Sequence, residues 1–272
     1  MTLTTYADLE QGSQSWLDAR CGLLTASTIG AHITQKSRDP FTVECIKCGA
    51  PGFSPCMSAA RKEPTPIKTV HEERAAIVAG LPKVLEVADN DTSRSLTYQL
   101  AAERITGHVD YVPPTFDMQR GHDDEPYARD AYAANFAPVE QVGFMVRDFG
   151  DYRIGYSPDG LVKDDGLVEI KSRRPKEHLK TVLKGLPPIE NMAQMMAGML
   201  VSGRDYCDYI SYSAGLPLWV KRVHLDDRWV TAIHATAAQF EINVTNIVNN
   251  FNAATAGLPM TERRPEYEEI RF

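Results

Sequence analysis

Apolar residues recur along the chain with two periods, and the changes between them divide it into elements. Trp16, Leu17 and Ala19 set a short helical pattern over 14–20 that Cys21-Gly22 ends. Thr25-Ala26-Ser27 can open a second helix, because a Ser or Thr side chain accepts from the free N–H groups of a first turn. Those groups can equally hold a phosphate. Leu96, Leu100, Ala101 and Ile105 fall on one face, which predicts a helix over 95–105 with Gly107 past its end. A further helix is predicted over 117–136. Strands follow over 139–146, 152–156 and 167–171, separated by Asp148-Phe149-Gly150-Asp151 and Lys163-Asp164-Asp165-Gly166, whose Asp-Gly pair suits a tight hairpin. Helices over 176–184 and 189–202, a strand pair over 206–213 and 218–225 around Gly215-Leu216-Pro217, and a long helix from Asp226 to near Ala253 complete the pattern.

Periodicity lapses near Asp39. Up to Ala88 the chain holds three clustered cysteines and Pro51, Pro55, Pro64, Pro66 and Pro82, with no sustained pattern until 71–79. The expectation is an α/β fold, a central mixed β-sheet flanked by helices. Its core spans 1–38 and 89–258, a small module is inserted at 39–88, and 259–272 forms a charged C-terminal tail.

Composition narrows this little: 43% hydrophobic and 24% charged residues are ordinary for a soluble globular protein. The net charge of −7 argues against a uniformly basic surface that coats nucleic acid, but not against a local site. One basic strip exists, with Lys171, Arg173, Arg174, Lys176, Lys180 and Lys184 against Glu177. It reads as a DNA contact or as a solvated helix face. No segment is apolar over the length needed to span a bilayer, and no signal-peptide pattern opens the chain, so a cytoplasmic location is expected, the host cytoplasm if the protein is phage-encoded.

The chemistry concentrates between Gly155 and Lys171. Ser157-Pro158-Asp159-Gly160 ends one strand and Glu169-Ile170-Lys171 lies on the next. Residues i and i+2 of a strand share a face, so Glu169 and Lys171 project together while Ile170 points into the core, and across the hairpin Asp159 can meet Glu169. Two carboxylates and the Ile170 carbonyl are hard oxygen ligands suited to Mg²⁺ or Mn²⁺. Such an ion lowers the pKa of a bound water from about 15.7 toward neutrality, and a neighbouring lysine stabilises the nucleophile and the charge on a phosphate. Taken singly, a Glu-x-Lys on an exposed strand and a Pro-Asp-Gly turn are commonplace. Their joint occurrence points to phosphodiester hydrolysis.

Four blocks together resemble the lambda exonuclease, or YqaJ-type viral recombinase, family of the PD-(D/E)xK nuclease superfamily. They are Trp16-Leu17-Asp18-Ala19-Arg20 through Thr25-Ala26-Ser27; Gly121 through Glu125-Pro126, Ala128-Arg129 and Tyr132; Ser157-Pro158-Asp159-Gly160; and Glu169-Ile170-Lys171. A weaker fifth is Met192-Ala193-Gln194. The resemblance implies a restriction-endonuclease-like core and two metal ions shared by Glu125, Asp159, Glu169 and Ile170, with Lys171 as the catalytic lysine and Gln194 beside the centre. The family's second glutamine is Met196 here, and an aromatic before the block is Asn191. Arg20 and Ser27, with Thr25 and Ser157, would grip the terminal 5′-phosphate of DNA. Outside that context Glu125 reads as an acid favoured near a helix N-terminus and Arg20 as a surface arginine. The implied activity is 5′-to-3′ digestion of linear double-stranded DNA ends, leaving 3′ single strands for phage-type recombination. Implied partners are a single-strand annealing protein and two further copies in a ring-shaped homotrimer. Two alternatives are an endonuclease or single-strand nuclease of the same superfamily, and a non-catalytic DNA-binding adaptor, which would need no intact Asp, Glu and Lys set.

In the insert, Cys45, Cys48, Cys56 and His71 offer three thiolates and an imidazole, enough for a tetrahedral Zn²⁺, and Gly49 and Gly52 allow a tight knuckle. The string resembles short zinc-finger-like segments. A module this poor in apolar residues needs a staple, and structural zinc supplies roughly 10–16 kcal/mol of apparent folding energy. The competing readings are a reduced cysteine pair in a loop, a redox pair without its usual strand-helix context, or an iron–sulfur cluster drawing on distant Cys21 or Cys207. Lys47, Arg61, Lys62 and Lys68 would let the insert contact DNA, or it holds a protein partner.

Overall fold

The computed structural model describes residues 1–58, 63–110 and 112–263. Arg61, Lys62 and residues 264–272 of the charged tail lie outside the described residues.

In chain order, β1 (Thr2–Tyr6) precedes α1 (Gln14–Arg20), α2 (Ala26–Ile29) and β2 (Ile33–Lys36). The Cys/His segment contributes β3 (Met57–Ser58), β4 (Thr65–Pro66) and α3 (Glu72–Ala79) before β5 (Val84–Val87). Helices α4 (Asp91–Thr106) and α5 (Phe116–Asn135) lead into β6 (Phe144–Asp148), β7 (Arg153–Tyr156), β8 (Gly160–Val162) and β9 (Gly166–Ser172). Then come α6 (Pro175–Lys184), α7 (Met192–Ser202), β10 (Tyr206–Tyr212), β11 (Trp219–His224) and α8 (Asp227–Ala254).

Local signals account for the helix ends. The Asn90 side chain accepts from the Ser93 N–H at 3.0 Å and opens α4 four residues earlier than the apolar spacing alone suggests. Gly107 closes it in the left-handed region at φ 63°, which glycine adopts without penalty. Along α8 the buried residues Trp229, Ala232, Ile233, Thr236, Ala237, Phe240 and Val244 form one stripe at helical spacing.

Two sheets result. One is antiparallel in the order β1-β6-β7; the other is mixed, β11-β10-β9-β8, with β9 and β10 parallel and the outer pairs antiparallel. Three expectations from the sequence shift. The strand expected over 139–146 is regular only from Phe144, with Glu140 reduced to an isolated bridge to Leu161. Strand β7 pairs with β6, and the hairpin partner of β9 is the separate short β8. Strands β2 and β5 pair antiparallel with each other and pack on α8, so the Cys/His segment leaves and rejoins the rest of the chain through a two-stranded ladder.

The alternation along β9 sets up everything that follows. Leu167 faces the main core, where Met195, Met196 and Met199 of α7 and Ile233 and Phe240 of α8 pack. Val168 and Ile170 face the opposite side, against Ala128 and Tyr132 of α5 and Ile210 of β10. Glu169 and Lys171 share the Leu167 side. Strand β8 pairs only as far as Gly160 with Val168, so the last residues of β9 keep an open edge on that flank. Side chains from both faces can meet there.

Candidate active site

At this open edge the Asp159 carboxylate takes the place a longer β8 would have filled: its Oδ2 accepts the Ile170 N–H at 2.6 Å. The N–H and C=O of one strand residue face the same flank, so the Ile170 carbonyl is directed to that edge as well. Glu169 is wholly buried on the α7 side. Lys171 Nζ stands 2.5 Å from Glu169 Oε1, outside hydrogen-bonding alignment, and donates to Gln194 Oε1 at 3.2 Å in the first turn of α7. Neither Glu169 oxygen accepts a hydrogen bond from a described residue. Glu125 reaches the cleft from mid-α5 and pairs with Arg129 one turn on, and Arg129 Nε also donates to the Asp159 carbonyl at 2.9 Å.

Glu125, Asp159, Ile170, Lys171 and Gln194 line a cleft of about 330 Å³ that also takes in Arg20, Thr25, Ser27 and Ser157. Trp16 organises that end. Its indole Nε1 donates to Ser157 Oγ at 2.9 Å, and the Arg20 guanidinium lies 4.4 Å from the centroid of its ring. Thr25 and Thr28 close a capping box on α2, with Thr25 Oγ1 3.1 Å from Ser27 Oγ. The structure therefore brings Glu125, Asp159, Ile170, Lys171 and Gln194 to one cleft with Arg20, Thr25, Ser27 and Ser157, while Glu169 is buried behind Lys171 and does not line it.

The electrostatics are those of a site that lacks positive charge. Burial pushes the Glu125 carboxyl up to about 7, with Asp159 adding to the push and Arg129 and Lys171 opposing it. Burial likewise lifts Glu169 to about 7 against the opposing charge of Lys171, and it raises Asp159 against Lys171, the Ile170 N–H and Arg129. Lys171 goes the other way: burial works against its charge, but Glu169 and Asp159 outweigh burial and hold its ammonium protonated. Crowded, desolvated carboxylates and a buried acid that meets only the Lys171 ammonium among the described residues are the donor set a small divalent cation fits.

Sequence reading missed several neighbours. Arg129 has a signal, its i+4 spacing from Glu125; Trp16 and Tyr156 reach the cleft only through the tertiary fold. The basic strip is largely neutralised: Arg173 lies 3.9 Å from Glu190, Arg174 pairs with Asp117 at 3.0 Å and Lys180 with Glu177 at 2.9 Å. Among the described residues, Lys176 and Lys184 have no acidic partner within ion-pair distance.

A second centre lies in the Cys/His segment. One ligand atom each from Cys45, Cys48, Cys56 and His71 lies within 4.8 Å of the others, a cluster that could hold a metal, and Gly49 turns the knuckle at φ 67°. All five cysteines of the chain are free thiols, with Cys21 and Cys207 in other elements. Arg74 is completely buried beside the cluster without a carboxylate partner among the described residues. It donates to the carbonyls of Phe41, Val43, Pro51 and Ser54 and to Cys56 Sγ at 3.5 Å. Among the described residues no helix is long and apolar enough to cross a membrane.

Comparison with known proteins adds three findings. A model of the YqaJ-like viral recombinase domain matches residues 15–205. The fold is similar to that of an alkaline exonuclease, LHK-Exo, from Laribacter hongkongensis: TM-score 0.65 at 23% identity, over 91% of this chain and 100% of that one. The same exonuclease in complex with dAMP gives 0.62 at 25% identity, again over 91% and 100%. No curated protein is similar enough to count as a relative.

Proposed function

The chain belongs to the YqaJ-like viral recombinase family, and from that premise we propose that it is a Mg²⁺-dependent deoxyribonuclease that digests linear double-stranded DNA from its 5′ ends and leaves 3′ single strands for recombination. One observation carries the reading: a single cleft joins the carboxylates and Lys171 at one end to Arg20 and Ser27 at the other. The binding of dAMP by LHK-Exo is in keeping with a DNA substrate.

Glu125, Asp159, Glu169 and the Ile170 carbonyl would hold two divalent ions. Ions held there would supply Lewis-acid polarisation of a phosphate and a lowered pKa for a bound water. Lys171, beside these carboxylates, would act through charge and orientation: it would align the nucleophile and offset charge gathering on the phosphate. Gln194 fixes the Lys171 ammonium, and Arg129 fixes Glu125 and the Asp159 backbone. Arg20, with Thr25, Ser27 and Ser157, grips the terminal phosphate, and this places the first internucleotide bond at the carboxylates. In the insert, Cys45, Cys48, Cys56 and His71 would hold a structural Zn²⁺. Three thiolates would leave that centre with one net negative charge, which the buried Arg74 would offset.

The test offers linear duplexes with a 5′-phosphate or a 5′-hydroxyl, and closed circles, in Mg²⁺. Progressive digestion of phosphorylated ends, with the preference for phosphate lost in Arg20→Ala, is the expected result. Cutting of closed circles would favour an endonuclease instead.

A further inference from the structure

Tyr156 ends β7 with its side chain 1% exposed, and its hydroxyl has no hydrogen-bond partner among the described residues. The fold goes to some length to house it. A Cβ on Gly198 would stand 2.7 Å from the ring Cζ and 3.0 Å from the hydroxyl, so the ring fits against α7 only because position 198 is glycine. Gly198 lies one helical turn beyond Gln194, the residue that accepts from Lys171. The hydroxyl is thereby held beneath the α7 face of β9, the side on which Glu169 is buried with the Lys171 ammonium 2.5 Å from Oε1 and no hydrogen bond to either oxygen from a described residue. Glu169 is also the strongest charge acting on the phenol. Tyr156 lines the same cleft as Lys171 and Gln194, so a buried donor without a partner stands on the side of a buried carboxylate that meets only the Lys171 ammonium among the described residues, and leaving such a donor unpaired is costly.

We propose that Tyr156 is a positioning residue of the metal centre, whose hydroxyl donates to the Glu169 carboxylate and fixes its orientation when that carboxylate serves a divalent ion. A phenol keeps its proton at neutral pH and can only be the donor in this pair. Partners of this kind, which orient a ligand without touching the metal, set affinity as the ligands themselves do. The inference rests on the metal-dependent reading of the cleft.

Tyr156→Phe keeps the ring over Gly198 and removes only the hydroxyl. Calorimetric titration with Mn²⁺, on the full chain whose Cys/His module has kept its own metal, reads the effect without turnover. The wild type is expected to bind, and Tyr156→Phe to bind about tenfold more weakly, while its metal-free form melts at the same temperature or higher because an unpaired buried group is gone. Gly198→Ala, which displaces the hydroxyl, should show the same loss of affinity. Equal Mn²⁺ affinity in wild type and Tyr156→Phe overturns the role given to Tyr156 and leaves the metal-dependent reading intact. Failure of the wild type to bind Mn²⁺ overturns that reading and, with it, the proposal.

Discussion

Arg129 holds two of the proposed metal ligands at once, the Glu125 carboxylate through Nη2 and the Asp159 backbone through Nε. It touches neither substrate nor ion in this account, so Arg129→Gln should lower turnover about 10- to 100-fold while duplex binding, measured by fluorescence anisotropy without a divalent ion, stays within about twofold. Equal losses in binding and turnover would mean that Arg129 contacts DNA. At this scale, strand alternation made Asp159, Glu169 and Lys171 legible in the sequence, since it dictates which neighbours share a face. Arg20, Ser27 and Glu125 gained meaning only as parts of blocks. Tyr156 gave no signal, because what matters about it is a glycine 42 positions further along the chain.

Among elements, the helices were the most readable, because caps and apolar stripes are local. The short strands β1, β2, β5 and β8 were not anticipated: each has three to five residues, too few to set a period, and β1, β2 and β5 find their partners far along the sequence. The early stop of β8 shapes the open edge and could not be read from composition. The Cys/His segment is a separate case, because its ladder β3–β4 has two residues per strand and its own core is little more than Cys45, Ala50 and Cys56. Such a unit would depend on the proposed metal for its stability. Protein purified without chelators should carry one zinc per chain by mass spectrometry, and removal of that zinc should expose 45–71 to protease while β9 and α7 stay protected. Absence of zinc from the purified protein would contradict the assignment.

For the molecule as a whole, the main core joins α2, α4, α7 and α8 to the mixed sheet, and His32 is buried within it, 3.1 Å from Thr97 Oγ1 and edge-on to Phe240. Burial lowers its pKa below the ordinary histidine value. The folded chain keeps this ring neutral where the unfolded chain already takes up a proton, so its contribution to stability is present at neutral pH and is lost as pH falls through about 6.5 and below. Melting temperature should therefore drop more steeply between pH 7 and pH 5 in the wild type than in His32→Gln; parallel curves would assign the acid sensitivity elsewhere. That core holds the rigid frame on which the edge of β9 and the first turn of α7 meet. The most direct test of its purpose is release of nucleotides from a linear 5′-phosphorylated duplex in Mg²⁺, comparing the wild type with Asp159→Ala. The account predicts digestion by the wild type and a loss of at least about 100-fold in the variant with the fold retained. Tight DNA binding by the wild type with no hydrolysis in any divalent ion, or undiminished activity of Asp159→Ala, would contradict it.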